Sequence, residues 1–330
     1  MNSLINSLPI TIPSPDCLIQ HSDKILLMGS CFTEHITKRL HSAKISSLEN
    51  PHGILFNPRS VCKSLDQYIH RKVPKVEELV QLNEIWNHWD FHSDFSAFEK
   101  EDALSKMSES IEEANIFLKE ADWLIITLGS AFQYFLKDGD GVANCHRAPG
   151  QWFDKNLLPI SLIVDDLERS IEDLKAFNPK LRVIFTISPV RHVRDGVVEN
   201  NRSKARLIEA VHELVEQRSN VYYFPSYELL IDVLRDYRFY DSDLVHPNYA
   251  ATQIVWEQFL NSFIDPKAKE IIEKMQALDV AKNHQVRFPK TNAFKKFKES
   301  QLSKISEYES RWDYIDFSKE KEHFGFDNLE

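Results

Sequence analysis

Only eight glycines occur in the 330 residues, and none falls in a GxGxxG or GxxxxGK(S/T) pattern. Both phosphate-cradling fingerprints need glycines at fixed offsets so that backbone can approach the ligand, so the common dinucleotide and P-loop readings lose their support. Cysteine is equally sparse. Cys17, Cys31, Cys62 and Cys145 stand far apart with no CxxC pair, which excludes a disulfide framework and a cysteine-based zinc site. No cofactor and no metal are expected. Basic excess is missing too, since 40 Lys and Arg face 50 Asp and Glu for a net charge of −10 and a pI near 5.7. That balance argues against nucleic acid as the partner. No apolar run approaches the roughly 20 residues of a membrane helix, so no membrane partner is expected. The first twenty residues, MNSLINSLPITIPSPDCLIQ, hold no Lys or Arg and no long apolar stretch. No secretory signal is read there, and the expected location is cytoplasmic.

What is present is a chain able to bury a large core, with 42% hydrophobic and 11% aromatic residues. Four short apolar runs rich in β-formers recur: KILLM (24–28), WLIITL (123–128), LRVIFTI (181–187) and NVYYF (220–224), with KISSLE (44–49) a weaker fifth. Continuous apolar character over that length suits strands buried on both faces. Amphipathic helical patterns separate them, among them CFTEHITKRLHS, PRSVCKSLDQYI, EDALSKMSESIEEANIFLKEA, LIVDDLERSIEDLKAF and KARLIEAVHELVEQRS. Strands alternating with helices predict a three-layer α/β/α sandwich around a parallel sheet of about five strands. Residues 131–145 break the rhythm and read as a hairpin, and 83–96 as an irregular aromatic excursion. After residue 264 only charged helical patterns follow. The expected division is therefore a catalytic-type α/β domain over 1–264 and a helical extension over 265–330, which packs on the main domain or on a partner and is a candidate surface for self-association.

Two features carry chemistry. Gly29 and Gly129 each directly follow a buried-strand candidate, where α/β proteins place ligand loops. Ser30 then stands between the first strand and a helix, beside the free N–H groups and positive dipole end of that helix. Those groups suit an oxyanion formed by attack of the serine hydroxyl, and they equally suit a serine acting as an ordinary helix cap. Far downstream, Asp243 precedes His246 by three residues, with Pro247 opening a helix. A carboxylate one turn before a histidine can orient its Nδ1 proton and leave Nε2 as a base, although Asp and His are also common in loops before helices. Cys31 is the intrinsically better nucleophile, but adjacent residues point about 100° apart on a helix, so only one of Ser30 and Cys31 can face that loop.

A serine after the first strand and a DxxHP before a late helix resemble the layout of SGNH hydrolases. Within them, GSCF (29–32), NPHGILFNP (50–58), ANCH (143–146), SPVRH (188–192) and DLVHPN (243–248) resemble the GSCFA family over about residues 22–262, with Thr33 in place of the motif's alanine. The resemblance implies an SGNH/flavodoxin-like fold and a serine hydrolase with Ser30 as nucleophile, His246 as base and Asp243 as its orienter, leaving Cys31 as a packing residue. It implies an O-acyl ester substrate, on a small molecule or a carbohydrate, with an acyltransferase or a non-catalytic binding module as the alternatives. Gly53 would give an oxyanion N–H. The third donor, normally the asparagine of GxND, is missing from LGSAF (128–132), which retains Gly129 alone; Asn57 and Asn144 are the candidate replacements. Arg191 and His192 should reach the same sheet edge, where they either bind an anionic substrate group or pair with a carboxylate of the protein.

Overall fold

A computed structural model describes residues 8–137 and 139–325; the extreme ends of the expected 1–264 and 265–330 units lie outside the described residues. The central element is a five-stranded, all-parallel sheet built from β1 (Ile25–Gly29), β2 (Ser47–Glu49), β5 (Trp123–Leu128), β9 (Arg182–Ile187) and β10 (Val221–Phe224), in the order β10-β9-β5-β1-β2. All five expected strands are present. KISSLE contributes only three residues, Ser47–Glu49, at one edge of the sheet.

Alternation along these strands sorts the core into two layers. Leu26, Met28, Leu124, Ile126, Leu128, Val183 and Phe185 face α2 (Pro58–His70), α3 (Lys100–Glu120), α4 (Ile160–Phe177) and α5 (Val197–Gln217). Ile25, Leu27, Trp123, Ile125, Ile184 and Phe224 face α1 (Phe32–Ser42), α7 (Tyr249–Phe263) and the start of α8 (Pro266–Asn283). Side chains of period two thus feed both helical layers, which is why these strands read as unbroken apolar runs. The fold is the expected α/β/α sandwich.

Two insertions leave the sheet. Residues 80–87 form a small hairpin of β3 (Val80–Leu82) and β4 (Ile85–Asn87), overlapping the first residues of the 83–96 stretch expected to be irregular. The expected hairpin at 131–145 is β6 (Phe132–Leu136) with β7 (Gly141–Val142), and a third strand, β8 (Phe153–Leu157), pairs on its other side. FDKNL escapes a reading based on apolar runs because only alternate residues are partly covered.

The tail packs on the body. Ala268 and Ile272 of α8 join the main core, while Met275 and Leu278 build a second small core with Ile305 of α9 (Asn292–Arg311) and with Ile315, Phe317 and Phe324 around α10 (Ser318–Phe324). Lys44 seals the seam, reaching Glu320 at 2.6 Å and the Asp316 carbonyl at 2.7 Å. Among the described residues no helix is long and apolar enough to cross a membrane.

Candidate active site

From β1 the chain crosses to β2 on one side and later to β5 on the other, so the strand order reverses between β1 and β5. A crevice at such a switch point, outside the carboxyl ends of the strands, is where open α/β sheets bind ligands. Ser30 directly follows β1 at that switch point. Its N–H donates to the Thr127 carbonyl at 3.0 Å, so the turn is stitched to β5. Gly29 makes this close approach possible. Its φ is +138°, and a Cβ there would stand 2.2 Å from the Thr127 oxygen.

Ser30 is buried, and its Oγ accepts from the Phe32 N–H at 3.3 Å at the mouth of α1. The hydroxyl therefore serves as a local cap and sits at the helix's positive end at once. The neighbouring Cys31 occupies the N-cap position in helical geometry without a side-chain cap bond. Burial raises its thiol pKa, with a smaller contribution from Glu34, so the reactive thiolate is disfavoured.

The second half of the site is the 241–248 loop. Asp243 Oδ2 lies 2.6 Å from His246 Nδ1, and Oδ1 accepts from the N–H groups of Val245 (2.9 Å) and His246 (3.0 Å). The His246 backbone N–H, its ring and then the Val245 N–H bring the Asp243 carboxyl down to about 2. An ionised Asp243 holds the proton on Nδ1 and leaves Nε2 as the acceptor. Leu244 takes a left-handed conformation (φ +59°), which lets the loop curl tightly enough for Asp243 to collect three donors. Among the described residues no hydrogen bond joins Ser30 Oγ to His246 Nε2.

Among the described residues Arg191 pairs with no carboxylate. Its guanidinium donates to the Leu244 carbonyl at 3.1 Å and stacks on Tyr240, 4.2 Å from the ring centroid. It braces the Asp243–His246 loop from the end of β9. His192 lies against Gly129: a Cβ on that glycine would meet its Nε2 at 3.2 Å, and its ring lies beside Phe56. Burial, then the charge of Lys204, lower the His192 imidazole to about 4, so it is neutral near pH 7, and its Nε2 is buried with no partner.

The candidate oxyanion groups are differently placed. The Gly53 N–H closes a turn onto the Asn50 carbonyl at 2.6 Å, and His92 packs against its α-carbon. Asn57 caps α2, accepting from Arg59 N at 2.9 Å and donating to the Phe132 carbonyl at 2.6 Å, so both ends of its amide are engaged. Asn144 accepts from His146 N at 2.8 Å in a wall formed with residues 88–92. Gly129 N–H is bound to the Phe56 carbonyl at 2.8 Å. The structure thus gathers Ser30, Gly129, His192 and the Asp243–His246 loop at one sheet edge, and gives Asn57 a cap's work. A cleft of about 450 Å³ between α2 and α4, lined by Arg59, Lys63, Asp166 and Arg169, holds none of these residues.

One part of the site had no place in the motif reading. Asn200, Ser203 and Lys204 on α5 are all buried beneath the two loops. Asn200 Oδ1 accepts from His192 N at 2.9 Å, Ser203 Oγ accepts from Ala131 N at 2.7 Å, and Lys204 Nζ donates to the carbonyls of Gly129 and Ser188 at 2.7 Å each. Their signal was in the helix pattern: positions 200, 203 and 204 continue the inward face of Leu207, Ala210, Val211 and Leu214, yet carry polar groups.

The model described as "GSCFA family" matches residues 24–259, and one described as "GSCFA domain protein, C-terminal domain" matches 267–325, the helical tail. A comparison with curated proteins gave no match. Among solved structures, a carbohydrate esterase family 3 protein from Talaromyces cellulolyticus is similar at 10% identity and a TM-score of 0.35, over 76% of this chain and 99% of its own. An acetyl esterase mutant with an acetate ion is similar at 11% and 0.36, over 76% and 99%. An acetyl xylan esterase from Butyrivibrio proteoclasticus is similar at 14% and 0.36, over 79% of this chain and 65% of its own.

Proposed function

The chain belongs to the GSCFA family, and from that premise we propose that it is a serine esterase acting on an O-acyl ester of a small molecule or carbohydrate. The observation that carries this reading is the 2.6 Å Asp243–His246 pair, held at the sheet edge where Ser30 meets the N-terminus of α1. In the proposed reaction, His246 Nε2 takes the Ser30 Oγ proton as Oγ bonds to the ester carbonyl carbon. The oxyanion forms against the N-terminal end of α1, at the positive end of that helix. His246 returns the proton to the leaving alkoxide, and water then frees the acyl group by the same route. The raised Cys31 thiol supports serine over cysteine as the attacking group. In this reading the body spans 1–264 and 265–330 is a separate unit, whose described helices pack upon it.

A fluorophosphonate probe tests the reading. It should label the wild type at Ser30, and Ser30→Ala should abolish labelling together with turnover of a short p-nitrophenyl ester. Labelling that persists in Ser30→Ala and disappears in Cys31→Ala defeats the assignment. A second reading, a binding module that keeps the pocket without turnover, is favoured by the lack of an asparagine after Gly129 and by the engaged Gly53 N–H. It predicts a folded protein that the probe never labels.

A further inference from the structure

A lysine whose Nζ is fully enclosed needs a reason. Removing an ammonium from water is expensive, and a buried charge usually sits beside a carboxylate that offsets the cost. Lys204 is 1% exposed, and no carboxylate pairs with it among the described residues. Its partners are two backbone carbonyls, Gly129 O and Ser188 O, both 2.7 Å away. These are the first residues beyond β5 and β9, so one side chain ties the ends of two adjacent strands from below. On stability grounds alone an apolar side chain of similar length would be the cheaper occupant of this helix face. The three residues around it serve the same two loops: Ser203 holds Ala131, Asn200 holds His192, and Ser188 N–H returns to Leu128.

Resting on the esterase reading, we propose that Lys204 is a positioning residue for the reaction at Ser30: its buried ammonium locks the Gly129–Ala131 and Ser188–His192 loops into one rigid floor. It also places a positive charge behind the site, felt at Cys31 and at His192. Three elements pack against it. Cys31 faces it from the β1–α1 junction and His192 from the loop after β9, while the Tyr227 ring of the short helix α6 (Ser226–Glu228) stands 6.0 Å from Nζ. None of them is an anion near neutral pH, since burial raises both the Cys31 thiol and the Tyr227 phenol.

Burial accordingly depresses the Lys204 ammonium to about 7. Below that pH the charge is present and both ties are charge-assisted. Above it the neutral amine keeps two N–H donors but loses the assistance that roughly doubles each bond's strength.

The test is the rate at which the fluorophosphonate probe labels Ser30, measured from pH 6 to pH 9 with circular dichroism recorded alongside. In wild type the rate should fall by about tenfold above pH 7 while the circular dichroism stays constant. Lys204→Met should label roughly ten- to a hundredfold more slowly at pH 6.5, the cost of a loosened reacting geometry, and should lack the high-pH fall. Lys204→Arg, charged throughout, should also lack that fall. A wild-type rate that holds level to pH 9 overturns the proposal, and it does so even if Lys204→Met fails to fold. A Lys204→Met protein that labels at the wild-type rate overturns it as well. Absence of labelling at every pH defeats the esterase reading and this one together, whereas labelling without the pH fall defeats only this one.

Discussion

Replacing Gly29 by alanine tests whether the turn before Ser30 is as tightly specified as its geometry implies. A Cβ at this position meets the Thr127 carbonyl oxygen at 2.2 Å and the Thr127 C and N atoms at 2.8 Å. All three belong to the backbone of β5, so no side chain can swing aside. A φ of +138° is itself costly for any residue with a Cβ, by about 1–3 kcal/mol. Relief requires β1 to move off β5, which loosens the Ser30 N–H to Thr127 bond and costs about 1 kcal/mol more. The total, about 2–4 kcal/mol, is a large share of the roughly 5–15 kcal/mol that holds a domain folded. With an unfolding entropy of about 2.1 cal/mol/K per residue, about 3 kcal/mol lowers Tm by roughly 4 °C in a chain of this length. The assay is thermal unfolding of Gly29→Ala beside Gly150→Ala, where a Cβ meets nothing within 4 Å. Gly150→Ala should melt within a degree of wild type. Gly29→Ala should melt several degrees lower and label far more slowly at Ser30. Equal melting of the two variants would refute the reasoning.

Other consequences follow from neighbouring parts. Arg191→Met removes the donor to Leu244 and the stacking on Tyr240, about 2 kcal/mol of anchoring for the Asp243–His246 loop. Ester turnover should drop by about tenfold with little change in Tm; activity within twofold of wild type would show that the loop holds itself. His52 is enclosed, stacked on Phe91 and bonded to Gln67 at 2.7 Å, and burial takes its imidazole down to about 3. The unfolded chain binds a proton at His52 near pH 6.5 and the folded chain does not, so stability is complete above 6.5 and is lost as pH falls toward 3, by up to about 1.4 kcal/mol per pH unit. The urea midpoint should therefore decline below pH 6.5 more steeply in wild type than in His52→Asn, and parallel declines would exclude His52 as the cause.

Local pattern was sufficient for much of this molecule. Unbroken apolar runs at 24–28, 123–128, 181–187 and 220–224 signalled strands covered on both faces, because a parallel sheet between two helical layers leaves no strand face for polar residues. The glycines after two of those strands and the DLVHPN stretch before α7 marked the candidate site, because turns and caps are written in residues close together in the chain. Strand β8 stayed hidden for the opposite reason: FDKNL buries only alternate residues, and its pairing with β6 is a long-range fact.

Tertiary structure alone decided what each marked residue does. Asn57 has the chemistry of an oxyanion donor, but the start of β6 gives its amide N–H the Phe132 carbonyl at 2.6 Å. Arg191 has the chemistry of an anion clamp, but the return of residues 240–244 across the end of β9 gives its guanidinium a carbonyl and an aromatic ring of the protein's own. Lys204 appeared as one more charge on an amphipathic helix until the sheet placed two carbonyls above it. Residue type and spacing determined which groups were available. Which of them remained free for a substrate depended on the contacts that the closed fold imposes between segments far apart in the chain, such as Asn57 with Phe132 and Arg191 with Leu244.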